Sequence, residues 1–227
     1  MRQYLIIDAD DTLWENNIYF ERAFDEFVDF LAHSTMSATE IRAVLDEIED
    51  ANAKVHGYGS LNFGRNLSQT YEKLAERVVH DDDLQIVMRF AERILEQPLE
   101  VIDGVPQTLA YLGGRHELTM FTKGSLEEQR MKIDRSGLAD FFAHVAIVRE
   151  KNAPAYRQLV EERAMDPRTT WMVGNSPKSD VNPALEAGLN AVFVPHAHTW
   201  VLEKEEIRPG EGRLLTITRF ADLRAHF

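Results

Sequence analysis

The sequence predicts an α/β protein, a doubly wound parallel sheet interrupted by an inserted α-helical domain. Three observations carry that prediction. Short apolar runs rich in β-formers occur at residues 4–7, 118–121, 144–148, 171–173 and 191–194. Each is too short for a helix and reads as a buried strand. Amphipathic segments with helix punctuation separate the last four runs, and alternation of strands with helices implies a parallel sheet. The interval from about Trp14 to Gln97 breaks the alternation and reads as helical throughout.

The helices between the later strands are marked by local chemistry. Ser125 with Glu128 forms a capping box, Pro154 suits a first helical turn, and Gly188 stops the helix that begins near Pro183. Within the insertion, Ile18, Ala23, Phe24, Phe27, Val28 and Leu31 recur at helical spacing, as do Ile41, Val44, Leu45 and Ile48 behind the Ser37/Glu40 capping pair. The stripe of Phe24, Phe27 and Phe30 reads as core packing. A third helix is expected over residues 67–79, and a fourth follows the acidic start Asp81, Asp82 and Asp83. Between the second and third, residues 57–64 read as a glycine-rich loop with aromatics. The expected domains are therefore a sheet domain of residues 1–13 and 98–227 and a helical domain of residues 14–97.

Composition limits the function. The chain has 227 residues, 44% hydrophobic and 28% charged, in the range of a packed globular protein. Its formal net charge of -13 argues against a nucleic-acid backbone as partner, which needs clustered Lys and Arg. The same charge repels a phosphate ester at long range, so a phosphate site here needs local positive charge or a metal ion. The absence of cysteine excludes disulfides, thiolate catalysis and Cys-based zinc sites. No stretch has the length of a membrane span. The first apolar run is broken at once by Asp8, Asp10 and Asp11, unlike a signal peptide, so a cytoplasmic protein is expected.

Four motifs stand at the ends of predicted strands, where ligands of open parallel sheets bind. The first strand runs into Asp8-Ala9-Asp10-Asp11-Thr12. Side chains two apart in an extended segment project to one side, so one carboxylate could attack phosphorus while the other handles the leaving group's proton. Thr122-Lys123-Gly124-Ser125 offers a hydroxyl and free backbone N–H groups at a helix start, a phosphate cradle. Lys151, just ahead of a Pro154-initiated helix, could neutralise a phosphate and a nucleophilic carboxylate together. Residues 174–180, Gly-Asn-Ser-Pro-Lys-Ser-Asp, add Asp180 at the same sheet edge, and magnesium favours one or two carboxylates completed by water and substrate phosphate.

In this order the four resemble the haloacid dehalogenase-like superfamily, whose signature is DxDxT, then Thr or Ser, then Lys, then a Gly-Asp...Asp motif. The likeness covers almost the whole chain, since the insertion resembles that family's helical cap on a Rossmann-like core. It implies Asp8 as nucleophile and metal ligand, Asp10 as general acid and base with its main-chain carbonyl on the metal, and Asp180 as a further ligand. Thr122, Lys123 and Lys151 would hold the phosphoryl group, and Mg2+ would be the cofactor. One position departs from the pattern: Asn175 stands where Asp is usual, able to hold a metal-bound water but supplying less negative charge.

The expected reaction is magnesium-dependent hydrolysis of a small phosphate monoester through an aspartyl-phosphate on Asp8. Phosphomutases share every core motif, whereas the dehalogenase branch lacks the second aspartate of the first motif. A non-catalytic interaction protein on the same fold is a further alternative, opposed by the presence of Asp8, Asp10 and Lys151. His196 and His198 lack an acidic partner at a recognised ligand spacing and read as loop histidines. The leaving group is expected to be read by the insertion, with Tyr58, Asn62 and Arg65 as candidates because they combine stacking and hydrogen-bonding capacity with flexible glycines.

Overall fold

The structure is a computed structural model describing residues 2–227. The chain separates into two compact units, residues 1–15 with 99–227 and residues 16–98. It crosses between them after Glu15 and after Pro98.

The first unit contains a six-stranded, wholly parallel sheet of β1 (Tyr4–Ile7), β2 (Glu117–Lys123), β3 (His144–Val148), β4 (Thr170–Gly174), β5 (Asn190–Phe193) and β6 (Leu214–Thr216), in the order β3-β2-β1-β4-β5-β6. The chain leaves β1 in one direction and returns to its other side at β4, so the switch point lies between these two strands. Ile7 is in register with Met120 and Val173 on either side. The carboxyl ends of β1, β2 and β4 therefore bring Asp8, Thr122 and Asn175 to one edge, where a ligand crevice forms in this topology. β6 was not read from the sequence; its burial is slight, and only three residues form it.

Apolar clusters cover both faces of the sheet. Leu5, Ile7, Leu118, Met120 and Val173 pack with Val105, Leu109 and Leu112 on one side, while Ile6, Phe121 and Met172 pack with Tyr156 and Leu159 on the other. Such alternation along β1, with neither face polar, is what two covering layers of helix require.

The second unit is four helices, α1 (Asn17–Leu31), α2 (Ala38–His56), α3 (Ser60–Leu74) and α4 (Asp81–Glu96), around Phe24, Phe27, Leu45, Phe63, Leu67, Tyr71 and Val87. Ser37 caps α2 and Glu40 returns the bond to its backbone N–H, completing the box. The expected 57–64 loop is shorter than its glycines suggested. α3 begins at Ser60 and ends at Leu74, so Asn62 and Arg65 lie on a helix and the third helix is shifted from residues 67–79. Gly64 lies within α3, and the close approach of α4 accounts for a glycine there: an added Cβ would lie 2.9 Å from Met88 Sδ and 3.0 Å from the Ala91 Cβ.

The remaining helices of the first unit are α5 (Val105–Gly113), α6 (Leu126–Ser136), α7 (Ala153–Glu162) and α8 (Asn182–Glu186). The Ser125 side chain accepts from the Glu128 N–H at the start of α6, and Pro154 occupies the first turn of α7.

Candidate active site

Directly after β1 the backbone makes a tight turn. The Thr12 and Leu13 N–H groups both donate to the Ala9 carbonyl, at 3.2 and 2.8 Å, and the Asp11 N–H donates to Trp14 O at 2.8 Å. Asp11 takes a left-handed conformation, φ 59°, which Asp tolerates better than most side chains. The turn folds Thr12 back so that its hydroxyl donates to Asp8 Oδ2 at 3.0 Å.

Asp8 lies in a buried cluster of charges. Lys151 Nζ is 2.5 Å from Asp8 Oδ1 and 2.5 Å from Asp180 Oδ1. All three side chains are almost wholly removed from solvent. Burial alone would lower the Lys151 pKa, but Asp180 and Asp8 reverse this and hold it above its usual value. Asp180 is pushed up to about 7, chiefly by burial and by the neighbouring Asp8 charge, against the opposing pull of Lys151. Two carboxylates sharing one ammonium leave a site short of positive charge.

The loop after β4 sets Asp180. Its Oδ2 accepts the Ser176 N–H at 3.0 Å, and the carboxylate lies across Gly174, where an added Cβ would stand 2.1 Å from Oδ2. Only glycine leaves that space. Pro177–Val181 then form a single π-helical turn, with the Ser176 hydroxyl accepting from Ser179 N–H. Asn175 is buried beside Thr12, its Oδ1 3.3 Å from Thr12 Oγ1.

Asp10 belongs to a separate set of contacts. Lys132 Nζ lies 2.7 Å from both of its oxygens, Gln129 Nε2 donates to Oδ2 at 2.8 Å and Trp14 Nε1 donates to Oδ1 at 2.7 Å. Burial would raise this carboxyl, but the Lys132 charge and the three hydrogen-bond donors outweigh it and hold it below the usual range. Lys132 and Gln129, both on α6, were missed in the sequence. Their spacing of three places them on one helical face, but nothing local shows that the face meets residue 10.

Thr122 is buried at the end of β2, in register with Ile147 of β3, and its side chain joins none of the Asp8 hydrogen bonds. Lys123 is turned toward Glu203 Oε1, at 2.5 Å, and Ser179 Oγ, at 2.9 Å. Its charge is thus met by a carboxylate 80 residues away along the chain. Glu203 also accepts from Ser176 Oγ at 2.5 Å. Burial would raise Glu203, but Lys123 and the serine hydroxyls hold it below its ordinary value.

His196 departs from its reading as an unpartnered loop histidine. Its Nδ1 is 3.8 Å from Asp11 Oδ1 and its Nε2 is 3.3 Å from Glu15 Oε2, and the three residues could hold a metal ion. The ring, however, turns a different nitrogen to each carboxylate, and Nδ1 also accepts the His198 N–H at 3.3 Å. With Nδ1 accepting, the ring's proton is on Nε2 and is directed at Glu15, so the hydrogen-bonded partner of this histidine is Glu15, while Asp11 lies near Nδ1, which has no proton to donate.

In the helical unit, Asn62 Nδ2 donates to the carbonyls of His56 and Tyr58, at 2.7 and 3.4 Å, and its Oδ1 accepts from Arg65 Nη1 at 2.9 Å. Asn62 therefore ties down the end of α2. Arg65 is exposed and Tyr58 half-buried.

A family model described as haloacid dehalogenase-like hydrolase matches residues 3–188. The chain belongs to the haloacid dehalogenase-like hydrolases. Among solved structures, a haloacid dehalogenase-like family hydrolase from Xanthomonas campestris is 29% identical, with a TM-score of 0.85 over 99% of this chain and 90% of that one. A predicted phosphoglycolate phosphatase from Haemophilus somnus is 15% identical with a TM-score of 0.69, covering 99% of this chain and 97% of that one. L-2-haloacid dehalogenase from Xanthobacter autotrophicus is 16% identical with a TM-score of 0.66, covering 99% and 98%. The last two show the shared fold alone. No curated protein matched. Among the described residues no helix of this hydrolase is long and apolar enough to cross a membrane.

Proposed function

We propose that this hydrolase is a magnesium-dependent phosphatase acting on small phosphate monoesters through a phosphoryl-aspartate on Asp8. The observation that carries this reading is the Asp8–Lys151–Asp180 cluster, in which two buried carboxylates meet a single ammonium. The donor set fits magnesium. Asp8, Asp180, the Asn175 amide oxygen and the Asp10 main-chain carbonyl are all hard oxygen donors. Thr12 has one hydroxyl hydrogen, which the closer and charged Asp8 oxygen takes, leaving the buried Asn175 Oδ1 without it. Magnesium bound there would neutralise charge on the transferring phosphoryl oxygens.

The chain's own residues supply the remainder. Thr12 and Lys151 orient the Asp8 carboxylate, and the Lys151 ammonium offsets its charge as a phosphate approaches. An Asp8 oxygen attacks phosphorus; the bond from phosphorus to the ester oxygen breaks, and the electron pair leaves with that oxygen, to be protonated by Asp10. Water then attacks the phosphorus of the acyl phosphate, its proton passes to Asp10, and cleavage of the Asp8–phosphorus linkage releases inorganic phosphate and restores Asp8. Asp10 rests ionised beside Lys132; a nearby phosphate dianion raises its affinity for a proton, so the proton it gives to the leaving oxygen is taken up from solvent as the ester binds and is returned by the attacking water. The leaving group is read by the helical unit, with Tyr58 and Arg65 its candidate contacts.

The presence of Asp10 favours phosphoryl transfer over dehalogenation, because displacement of halide from carbon requires no proton for the leaving group. Release of inorganic phosphate from p-nitrophenyl phosphate is expected with magnesium, absent with chelator, and reduced roughly 10³-fold or more by Asp8→Asn. Phosphate release undiminished in chelator or in Asp8→Asn would overturn the proposal.

A further inference from the structure

Between β5 and β6, residues 196–203 form a strap over the loop that follows β4. Four side chains fasten it. Asn175 Nδ2 donates to Thr199 Oγ1 at 3.0 Å, Lys178 Nζ donates to Leu202 O at 2.9 Å, Ser176 Oγ donates to Glu203 Oε2, and Lys123 Nζ is paired with Glu203 Oε1. Nothing in the family resemblance or in the four motifs singles out this strap.

Of these contacts, Thr199 bears on the chemistry. The two ends of the Asn175 amide are similar in shape and opposite in character, an acceptor oxygen and a donor NH2. Which end faces Asp8 decides whether the position suits a cation or an anion. Thr199 settles it. Its hydroxyl hydrogen is directed at the His196 carbonyl, 3.1 Å away, so its oxygen is left to accept, and the group that can donate to it is the amide NH2. Oδ1 is thereby turned inward, toward Thr12 and Asp8. Thr199 is itself buried, so water competes poorly for either bond.

We infer that Thr199 is a positioning residue for the metal end of the site, fixing the Asn175 amide with its oxygen toward the bound cation. An aspartate at 175 would present oxygen from either end and need no such orientation; asparagine does, and Thr199 supplies it. The inference rests on the reading of the site as magnesium-binding.

The test is cation binding to the metal-free full-length protein, read by the electron paramagnetic resonance signal of free Mn2+, a hard, oxygen-preferring ion that stands in for magnesium. Thr199→Val keeps the shape and removes both hydrogen bonds, and it should weaken binding by about tenfold or more, the scale of losses when a ligand's supporting partner is removed. Thr199→Ser should restore it to within about threefold. Should the valine variant fail to fold, as judged by its thermal transition, Thr199→Ala carries the same expectation. In an Asn175→Asp background the Thr199→Val loss should shrink to less than about threefold. Wild-type affinity in Thr199→Val, or an equal loss in both backgrounds, would overturn the inference while leaving the magnesium reading intact. No Mn2+ binding by the wild-type protein would overturn both.

Discussion

At the scale of single residues, Lys151 is the centre of the site. It is the ammonium between Asp8 and Asp180, and removing it leaves two buried carboxylates facing each other. Breaking a buried charge pair from one side costs about 3–5 kcal/mol, because the remaining charge is left desolvated. Lys151→Met should therefore lower the thermal transition as well as abolish turnover. Magnesium should recover part of the lost stability, because a bound cation supplies the charge that the ammonium supplied. Thermal melts with magnesium and with chelator check this, and a melt unchanged from wild type would contradict the geometry. Asp10 presents the opposite situation, a carboxylate held by Lys132, Gln129 and Trp14 through donors alone. Its neighbour in sequence, Asp11, is directed elsewhere, toward His196. Asp8, Asp10 and Asp11, three acidic residues within four positions, thus acquire three different sets of partners because the turn after β1 points each side chain a different way.

At the scale of elements, the strap and the loop after β4 act together through Glu203. Its pKa is depressed in the folded state, so it contributes stability that is present above its ordinary value of 4.5 and is lost as pH falls through the folded value. Glu203→Gln should destabilise the protein by about 3 kcal/mol near neutral pH, leaving the Lys123 charge without its carboxylate. Below about pH 4.5 the gap between variant and wild type should begin to narrow, closing as pH falls through the lower folded value. Denaturant unfolding at several pH values measures it, and a gap constant with pH would contradict the assigned pair. This pairing also marks where the sequence stopped being legible. Strands, the Ser37/Glu40 box, the Ser125 cap and the Pro154 start are local signals, written within a few residues, and they appear in the structure as read. Glu203 with Lys123, Lys132 with Asp10 and His196 with Glu15 join segments far apart in the chain, and only the completed sheet brings them together. Gly64 misled for a different reason. Glycine signals a turn or a close approach equally, and here the approach of α4 to α3 was the cause.

At the scale of the whole molecule, the division of labour is between a charged site in the sheet unit and an inserted four-helix unit with its own apolar core. On the proposed phosphatase reading, the residues around Asp8 address groups that every phosphate ester shares, and the proposal therefore assigns discrimination among esters to the insertion. Tyr58→Ala and Arg65→Ala should reduce kcat/KM for the preferred metabolite by about tenfold, while changing that for p-nitrophenyl phosphate by less than about twofold, as loss of leaving-group contacts alone would do. Uniform losses across a panel of phosphate esters would place recognition elsewhere. Asn62→Ala should act instead on stability, since that side chain closes the end of α2. The formal charge of -13 makes local neutralisation at the site a condition for binding any phosphate, which places Lys151 and the oxygen donors around it at the centre of the account. The most direct measurement is mass spectrometry of the peptide containing Asp8 after acid quench during turnover of p-nitrophenyl phosphate with magnesium. A phosphoryl group carried on Asp8, absent from the Asp8→Asn variant, is the predicted result; sustained phosphate release with Asp8 never modified would contradict it.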